Sequence, residues 1–231
     1  MYSERASVLP HVVAWQNVVA WQNVVTVAAA EARILPDGCL DIIWQNGRVF
    51  VAGPDTTAQV GPAPPAGSRF FALRFGAGTG PGVLGLPADE LVDRQVPLDA
   101  LWPAAAVRRL AEAADPLAAI TEAAARRWRE PDRVMVALAG AARAGRPVAA
   151  IAERCGLSPR QLQRRSNAAF GYGPKTLARV FRMQRAVRLA RGGSPFATVS
   201  AEAGYADQAH LAREVRALAG VPLGVLLDPG E

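Results

Sequence analysis

Residue types capable of covalent or metal chemistry are scarce in this chain. The cysteines are Cys39 and Cys155 and the histidines are His11 and His210, and they lack the spacing of a metal site. The glycine-rich stretch that begins at Gly76 lacks the Lys-Ser/Thr of a phosphate-binding loop. No nucleophile–base pair or carboxylate dyad is visible. We therefore expect no catalytic residues, no metal and no cofactor, and we predict that the protein is not an enzyme.

Charge is distributed unevenly along the 231 residues, which carry a net +6. Residues 131–231 contain 15 Lys and Arg against 7 Asp and Glu, whereas residues 1–130 contain 11 against 13. A basic half beside a slightly acidic half predicts that one module meets a polyanion. No apolar run approaches the roughly 20 residues of a membrane span, and the N-terminus lacks a signal layout. We expect a cytoplasmic, nucleoid-associated protein with no membrane partner.

One local pattern occurs twice in the basic half. Residues 147–170 and 195–220 each combine a short helix of apolar periodicity, a turn centred on glycine and a second helix. This order is typical of a helix-turn-helix unit. Gly156 and Gly204 would end the first helices, because glycine tolerates the left-handed conformation found at such a stop. Two copies are far more specific than one.

Capping residues support both copies. Ser158 precedes a proline and then Gln161, which predicts an N-cap, a proline at the first helical position and a capping box. Asp207 would cap the corresponding helix of the second copy. Cys155 lies at the first turn, where we expect a small buried residue.

A strongly periodic helix is predicted between the two copies, from Lys175 to Ala190. Its expected buried side comprises Leu177, Val180, Phe181, Gln184, Val187 and Leu189. Arginines recur every three residues on the other side, at 179, 182, 185 and 188. A helix on the order of 25 Å long could hold two recognition helices about 34 Å apart, one turn of DNA. The alternative is a globular helical domain with a solvated arginine stripe.

The segments IAERCGLSPRQLQRRSNAAFGYGPKTLARVFRMQRAVRLA and VSAEAGYADQAHLAREVRALAGVP resemble the AraC family of transcriptional regulators. The resemblance covers roughly Pro131 to Pro222. It implies an all-helical unit in which the second helix of each copy enters the major groove of double-stranded DNA. The residues implied in DNA binding are Ser158, Arg160, Gln161, Gln163, Arg164, Lys175, Arg179, Gln208, Ala212 and Arg213.

Six of these positions correspond to base readers in the family, namely Arg160, Gln163 and Arg164 in the first copy and Gln208, Ala212 and Arg213 in the second. Their chemistry suits the task, since Arg can grip guanine, Gln can grip adenine and Ala can touch a thymine methyl.

The chain departs from the family pattern at core positions of both copies. Ser166 stands where a core Phe is usual, and Phe170, one turn later, would fill that volume. Val215 replaces a second usual Phe.

The acidic half shows short apolar runs between turn residues. Strands are predicted over residues 11–19, 20–28, 31–35, 39–45, 48–52 and 69–75. Asn46-Gly47 predicts a hairpin turn, and residues 61–67 predict a loop. Two alanine-rich helices, about 103–114 and 116–129, are expected before a boundary near Pro131.

The stretch from Arg33 to Trp102 resembles the short N-terminal domain attached to one AraC-type subgroup. It implies a small sensing module, a partial barrel of cupin-like type. The candidate ligand-binding residues are Asp37, Asp41, Trp44, Arg69 and Arg74. The alternative places Asp37 in a turn, Trp44 in the core and the arginines on a solvated strand face. Cys39 is expected to be a core thiol.

A tandem repeat stands at the start of the chain, where Ala14–Val19 and Ala20–Val25 are identical. Because six is an even number, one strand would show the same residues on the same face in both copies. We interpret it as a local duplication that is tolerated in an edge strand or lengthens one, with register slippage or strand exchange between subunits as further options.

Together these patterns predict an α+β protein of two domains. Residues 1–130 would form a β domain for sensing or dimerisation with two helices at its end, and residues 131–231 an all-α DNA-binding domain with two helix-turn-helix subdomains and a linker helix. The predicted function is sequence-specific transcriptional regulation. Candidate partners besides DNA are a second copy of the chain, a small-molecule effector and RNA polymerase. The alternatives are a DNA-binding protein without effector control, one without sequence preference, and an enzyme that uses the helical half as a scaffold.

Overall fold

The structure is a computed structural model that describes residues 2–18, 24–28, 31–65 and 67–227. Over these ranges the chain forms nine β-strands, ten α-helices and two short 3-10 turns. The strands come first, and the chain is helical from residue 104 onward apart from connecting turns.

The strands form two antiparallel sheets. Their bounds are β1 (Tyr2–Ala6), β2 (Val12–Val18), β3 (Val24–Ala28), β4 (Glu31–Ile34), β5 (Leu40–Gln45), β6 (Arg48–Ala52), β7 (Gln59–Pro62), β8 (Arg69–Phe75) and β9 (Gln95–Pro97). The larger sheet has the order β1-β2-β8-β5-β6-β9, and the smaller has the order β3-β4-β7. The described strands do not close into one barrel.

The predicted Asn46-Gly47 hairpin is confirmed. Both residues have positive φ, 47° and 86°, and they join β5 to β6 with Gln45 paired to Arg48. Two successive left-handed residues match the right-handed twist of the flanking strands, which is why Asn-Gly suits this turn.

Three strands were not expected from the sequence: β1, β7 and β9. Strand β7 takes up the start of the predicted loop at 61–67. The repeat lies only partly within the described residues. Strand β2, which holds most of the first copy, lies between β1 and β8, whereas β3, which begins with the last two residues of the second copy, is an edge strand of the smaller sheet. The expectation of a shared face falls partly on residues 19–23, outside the described residues.

The helices are α1 (Pro81–Leu84), α2 (Ala104–Ala111), α3 (Pro116–Arg127), α4 (Arg133–Arg143), α5 (Val148–Arg154), α6 (Pro159–Phe170), α7 (Pro174–Arg191), α8 (Phe196–Ala203), α9 (Gln208–Ala219) and α10 (Leu223–Leu227). Helices α2 and α3 are the two predicted alanine-rich helices, slightly shorter than expected.

The larger sheet is covered on one face by α2 and α3. Alternation along the strands places Ile42, Val51 and Leu73 on that face, where they are fully buried with Ile120 of α3. The opposite face, which includes Ile43 and Phe50, looks toward the smaller sheet across a cavity. One face of the larger sheet is therefore tightly packed against helices, and the other face borders a cavity.

The helical half has two cores of its own. One lies among α4, α6 and the start of α7, and the other among α7, α8, α9 and α10. Each also takes a residue from the β-rich half, Ala77 in the first and Leu35 in the second. The two halves of the chain are thus packed together.

Candidate nucleic-acid interface and sheet cavity

The two helix-turn-helix units are built alike. Helices α6 and α9 have twelve residues each, with a side-chain N-cap at Ser158 or Asp207 and a left-handed glycine C-cap at Gly171 or Gly220. The predicted capping box is present, because Ser158 Oγ accepts from the Gln161 amide and the Gln161 side chain accepts from the Ser158 amide. These local signals confirm both units.

The six predicted base readers all lie on the exposed sides of α6 and α9. They are Arg160, Gln163, Arg164, Gln208, Ala212 and Arg213. Gln163 donates to Asn167 Oδ1 at 2.8 Å, and the others have no side-chain hydrogen bond among the described residues. The opposite sides carry buried residues such as Phe170 and Leu211. Each helix therefore exposes these side chains on one side, while its opposite side is packed into the core of the protein.

The remaining predicted DNA contacts are placed differently. Ser158 and Gln161 use their side chains in the capping box. Lys175 is exposed at the start of α7. Arg179 is half-buried, with Nε 3.3 Å from Glu214 Oε2, so its charge is partly neutralised inside the protein.

Glu214 of α9 is the centre of an ion cluster. Its side chain is 9% exposed and lies 2.9 Å from Arg182 Nε and 3.7 Å from His210 Nε2, in addition to Arg179. The hydrogen bonds that Arg182 donates to the Glu214 carboxylate raise the pKa of Arg182 against the effect of burial. The cluster joins α9 to α7 and fixes the second recognition helix on the linker.

The linker helix differs from its predicted pattern on both sides. The buried residues include Met183, Ala186 and Ala190, which the sequence reading did not select. Gln184, expected on the buried side, donates to the carbonyl oxygen of Pro36 at 2.6 Å. The arginine stripe is not free on the side opposite: Arg185 donates to the carbonyl of Arg143.

The departures from the family pattern are accommodated in the cores. Ser166 is fully buried with Oγ 4.0 Å from Met135 Sδ, and Phe170 is 1% exposed in the same core. Val215 is fully buried in the other core. The expectation for Cys155 is wrong, because it is exposed at the C-cap of α5.

The cavity between the two sheets has a volume of about 420 Å³. Three of the five candidate ligand residues line it: Asp37, Asp41 and Arg74. Arg74 bonds Asp41 through Nε at 3.1 Å and NH2 at 3.0 Å, and its NH1 lies 3.1 Å from Asp37. Burial lowers the pKa of Arg74, but the carboxylates of Asp41 and Asp37 more than compensate and keep it charged.

The other two candidates lie elsewhere, for a reason of strand alternation. Trp44 is on the helix-covered face, where Nε1 donates to the carbonyl of Ala111 at 3.0 Å. Arg69 is exposed and stacks over the ring of Phe71 at 5.2 Å. Neither residue lines the cavity.

Sequence reasoning missed polar residues on the cavity wall, above all Asp55, Asp93 and Arg94. They come from connections that follow β6 and precede β9. The Gly53-Pro-Asp-Thr turn was a usable signal, since charged residues directly after a buried strand often reach a cavity mouth. Cys39 also lines the cavity, and burial raises the pKa of its thiol.

The β-rich half contacts both recognition helices at their C-terminal ends. Arg33 NH1 donates to the carbonyl of Ala219 at 2.8 Å, and the Ala58 amide donates to the carbonyl of Leu218 at 2.7 Å. On the other side, Gly78 lies so close to Phe170 that a methyl group there would stand 3.0 Å from the ring.

Among residues 2–18, 24–28, 31–65 and 67–227, no group of three or more His, Cys, Asp and Glu side chains could hold a metal ion. No helix within the same ranges is both long and apolar enough to cross a membrane.

Comparisons with known protein families agree with the helix-turn-helix units seen in the helical half. Residues 151–228 match a family described as a helix-turn-helix domain, and residues 6–97 match a domain of unknown function named DUF6597. No curated protein matches the chain.

Solved structures similar to this chain include ToxT from Vibrio cholerae, with 8% identity and a TM-score of 0.48 over 98% of this chain and 99% of that one. ToxT bound to (E)-4-(8-methylnaphthalen-1-yl)but-3-enoic acid has 8% identity and a TM-score of 0.47, covering 85% and 98% of the two chains. Fatty-acid-bound ToxT has 9% identity and a TM-score of 0.45, covering 86% and 93%. These likenesses are too distant to assign a ligand.

The chain therefore carries a helix-turn-helix domain, which the family model matches over residues 151–228 and which the structure builds as two helix-turn-helix units joined by a linker helix.

Proposed function

We propose that α6 and α9 read two successive major-groove segments, with Arg160, Gln163 and Arg164 on one and Gln208, Ala212 and Arg213 on the other. The observation that carries this is their exposure on two equally built helices whose opposite sides are buried. The linker α7 has 18 residues, so it is about 27 Å long, comparable to one turn of DNA.

The test is selection of bound sites from random DNA with the full-length protein. We expect two short blocks of preferred bases whose centres are about ten base pairs apart. A single block of preferred bases would contradict the proposal that α6 and α9 bind two successive major-groove segments. The absence of any base preference would favour a DNA-binding protein without sequence specificity.

We also propose that the cavity between the sheets holds a small-molecule effector. Its support is an internal space of about 420 Å³ with both apolar walls and buried charges, a combination typical of small-molecule sites. A regulator without effector control is the second candidate, and it would leave this space without a use.

The segment from Arg33 to Asp41 is the proposed connection between effector and DNA. Asp37, Cys39 and Asp41 line the cavity, while Pro36 accepts from Gln184 of α7 and Arg33 donates to the end of α9. A ligand that shifts this segment would therefore shift the linker and the second recognition helix. Only a differential affinity for the two arrangements can produce such an effect.

The test of this connection is Gln184→Ala, which removes the contact to Pro36 and touches neither the cavity nor the exposed sides of α6 and α9. We expect the base preferences to stay the same while the affinity for DNA changes and its response to a ligand weakens. Arg188→Ala, an exposed substitution on the same helix, is the control. A Gln184 variant that behaves like this control would contradict the connection.

The domain division at residue 130, a homodimer, contact with RNA polymerase and a cytoplasmic, nucleoid-associated location belong to the same proposal. The division is supported by a core that ends at Ala124 and a helix that begins at Arg133. The proposal includes no catalytic activity. Sedimentation of the full-length protein with and without its selected DNA site tests the dimer, since a monomer in both states would contradict it.

A further inference from the structure

We propose that the cavity between the two sheets selects ligands that combine an ammonium head with an apolar body, and that Asp55 is the carboxylate that pairs with the head. The inference deepens the proposed effector role and rests on it. Three observations support it. Carboxylates outnumber cations on the cavity wall, most of these charged side chains already have partners within the protein, and the rest of the wall is apolar.

Carboxylates outnumber cations on this wall. Asp37, Asp41, Asp55 and Asp93 line it, against Arg74 and Arg94. Asp37 and Asp41 both bond the one guanidinium of Arg74. That group of three therefore carries a net negative charge and offers no free cation to an anionic ligand.

The two groups near β9 are also engaged. Asp93 accepts from the amide and hydroxyl of Thr56, at 2.7 Å and 2.6 Å. Arg94 donates through NH1 to the carbonyl of Glu90 at 3.0 Å. Both side chains are held by their own part of the chain and are exposed to solvent, and Arg94 keeps its positive charge there.

Asp55 is different, because within the described part of the chain no cationic side chain lies within ion-pair distance of it. Its polar neighbour on the cavity wall is the amide side chain of Gln59. Burial raises its pKa to about 7, and the negative charges of Asp93, Asp37 and Asp41 add to the effect, while Gln59 lowers it. A partly buried carboxylate in a negative environment is stabilised by an incoming cation.

A second buried polar group supports a ligand in this region. The hydroxyl of Tyr172, from the connection between α6 and α7, is buried without a hydrogen-bond partner among the described residues. Burial and then the charges of Asp37, Cys39, Asp55 and Asp93 raise its pKa, so it lies within electrostatic reach of the cavity wall. Tyr172 belongs to the helical half, and its neighbour Gly171 lies against Val92 and Pro54, each next to a cavity-lining aspartate in the chain.

The rest of the wall is apolar and suits the body of such a ligand. Ile43 and Phe50 come from the larger sheet and Ile34 and Val60 from the smaller. A volume of about 420 Å³ fits a small molecule. An anionic head in the same space would face several carboxylates, with the charge of Arg74 already neutralised.

The pairing has a defined pH dependence. An ammonium binds the ionised form of Asp55, so binding releases a proton and becomes tighter as pH rises through about 7. The charged groups facing Asp55 are those of the wall, Asp37, Asp41, Arg74, Asp93 and Arg94, together with the Cys39 thiol and the Tyr172 hydroxyl. The amine stays protonated until about pH 10, so it does not oppose this trend.

The experiment is calorimetric titration of the full-length protein, without DNA, with three probes of equal chain length: n-octylamine, octanoate and 1-octanol. We expect octylammonium to bind at least about tenfold more tightly than either of the others at pH 8, and more tightly at pH 8 than at pH 6. Asp55→Asn should remove most of this preference and the pH dependence. Asp99→Asn, an exposed carboxylate outside the cavity, is the matched control and should change nothing.

Equal or tighter binding of octanoate or octanol would overturn the ligand class, as would no binding of octylamine. Unchanged octylamine binding by a folded Asp55→Asn variant would overturn the role of Asp55, and if that variant does not fold, the pH 6 to pH 8 comparison on the native protein decides. The effector role is measured separately as the change in DNA affinity on adding octylamine. If octylamine binds without changing the affinity for DNA, the proposed ligand class is supported and the effector role fails. If the affinity for DNA responds to octanoate alone, the effector role is supported and the ligand class fails.

Discussion

Arg165 on α6 and Glu214 on α9 stand at the same place, seven residues after the N-cap of two helices of equal length. Arg165 reaches Asp132 at the start of α4 with Nε 2.9 Å from Oδ2, and the two side chains are 32% and 36% exposed. Glu214 is 9% exposed and meets Arg179 and Arg182 of α7. The two units thus use side chains of opposite charge to attach the second helix to a neighbouring helix. The difference in burial sets how much each ion pair contributes to stability.

The apolar anchors differ as well. At the last helical position the first unit has Phe170, packed against Gly78, whereas the second has Ala219, whose carbonyl accepts from Arg33. Both units pack on a hydrophobic core, but the second adds a buried carboxylate bonded to two arginines and a hydrogen bond from Arg33 at its C-terminal end. Because packing is insensitive to pH and salt and ion pairs are not, the two units should respond differently to the same changes.

Phe170→Ala should have the largest effect. Removing a fully buried ring leaves a cavity in the core of α4, α6 and α7, at a cost of about 3–5 kcal/mol in the free energy of unfolding. Urea unfolding measures it. Ala168→Ser, an exposed change on the same helix, is the control. A loss below about 1 kcal/mol would show that packing does not dominate the first unit.

Glu214→Ala should cost about 2 kcal/mol, since it leaves two arginines without their carboxylate; the value is below that of a fully buried pair because both arginines are partly exposed. The matched change Arg165→Ala should cost less than about 1 kcal/mol. Both are measured by urea unfolding at low and high salt, and equal losses would remove the contrast between the two ion pairs.

Arg164→Ala and Arg213→Ala test the two units as readers of DNA. Each should weaken binding to the selected site by about 1–3 kcal/mol and relax the preference at one base position. Site selection with each variant gives the positions, which should differ between the two. If both substitutions relax the same base pair, the assignment of one groove segment to each helix is wrong.

Asp132→Asn should have the smallest effect. Although burial raises the pKa of Asp132, the hydrogen bond and charge of Arg165 and two backbone amides lower it overall. A depressed carboxylate pKa contributes stability above its unfolded value, about 3.9, and loses it as pH falls through the folded pKa. The variant should therefore lose less than about 1 kcal/mol at pH 7 and approach the native protein near pH 3. A difference that grows toward low pH would contradict this sign.

Local signals were enough to predict the DNA-binding half. The capping residues of both units act on neighbours three or four residues away, so the sequence alone predicts their roles. They are Ser158, Gln161, Asp207 and the glycines at the helix ends. The Asn46-Gly47 turn is legible for the same reason. The arginines of α7 were harder, because whether Arg179 faces DNA or Glu214 depends on a residue 35 positions away.

The sequence alone determined that this protein has two capped helix-turn-helix units, a linker helix and a β-rich half, since periodicity, caps and turns are short-range. Only the tertiary structure decided that Asp41 faces a cavity while Trp44 faces helices, because strand alternation does not say which face is covered. It also placed Asp55 on the same cavity wall as Asp37 and Asp41, and Pro36 against Gln184, 148 residues away. Such contacts depend on how sheets and helices pack, which no local pattern records.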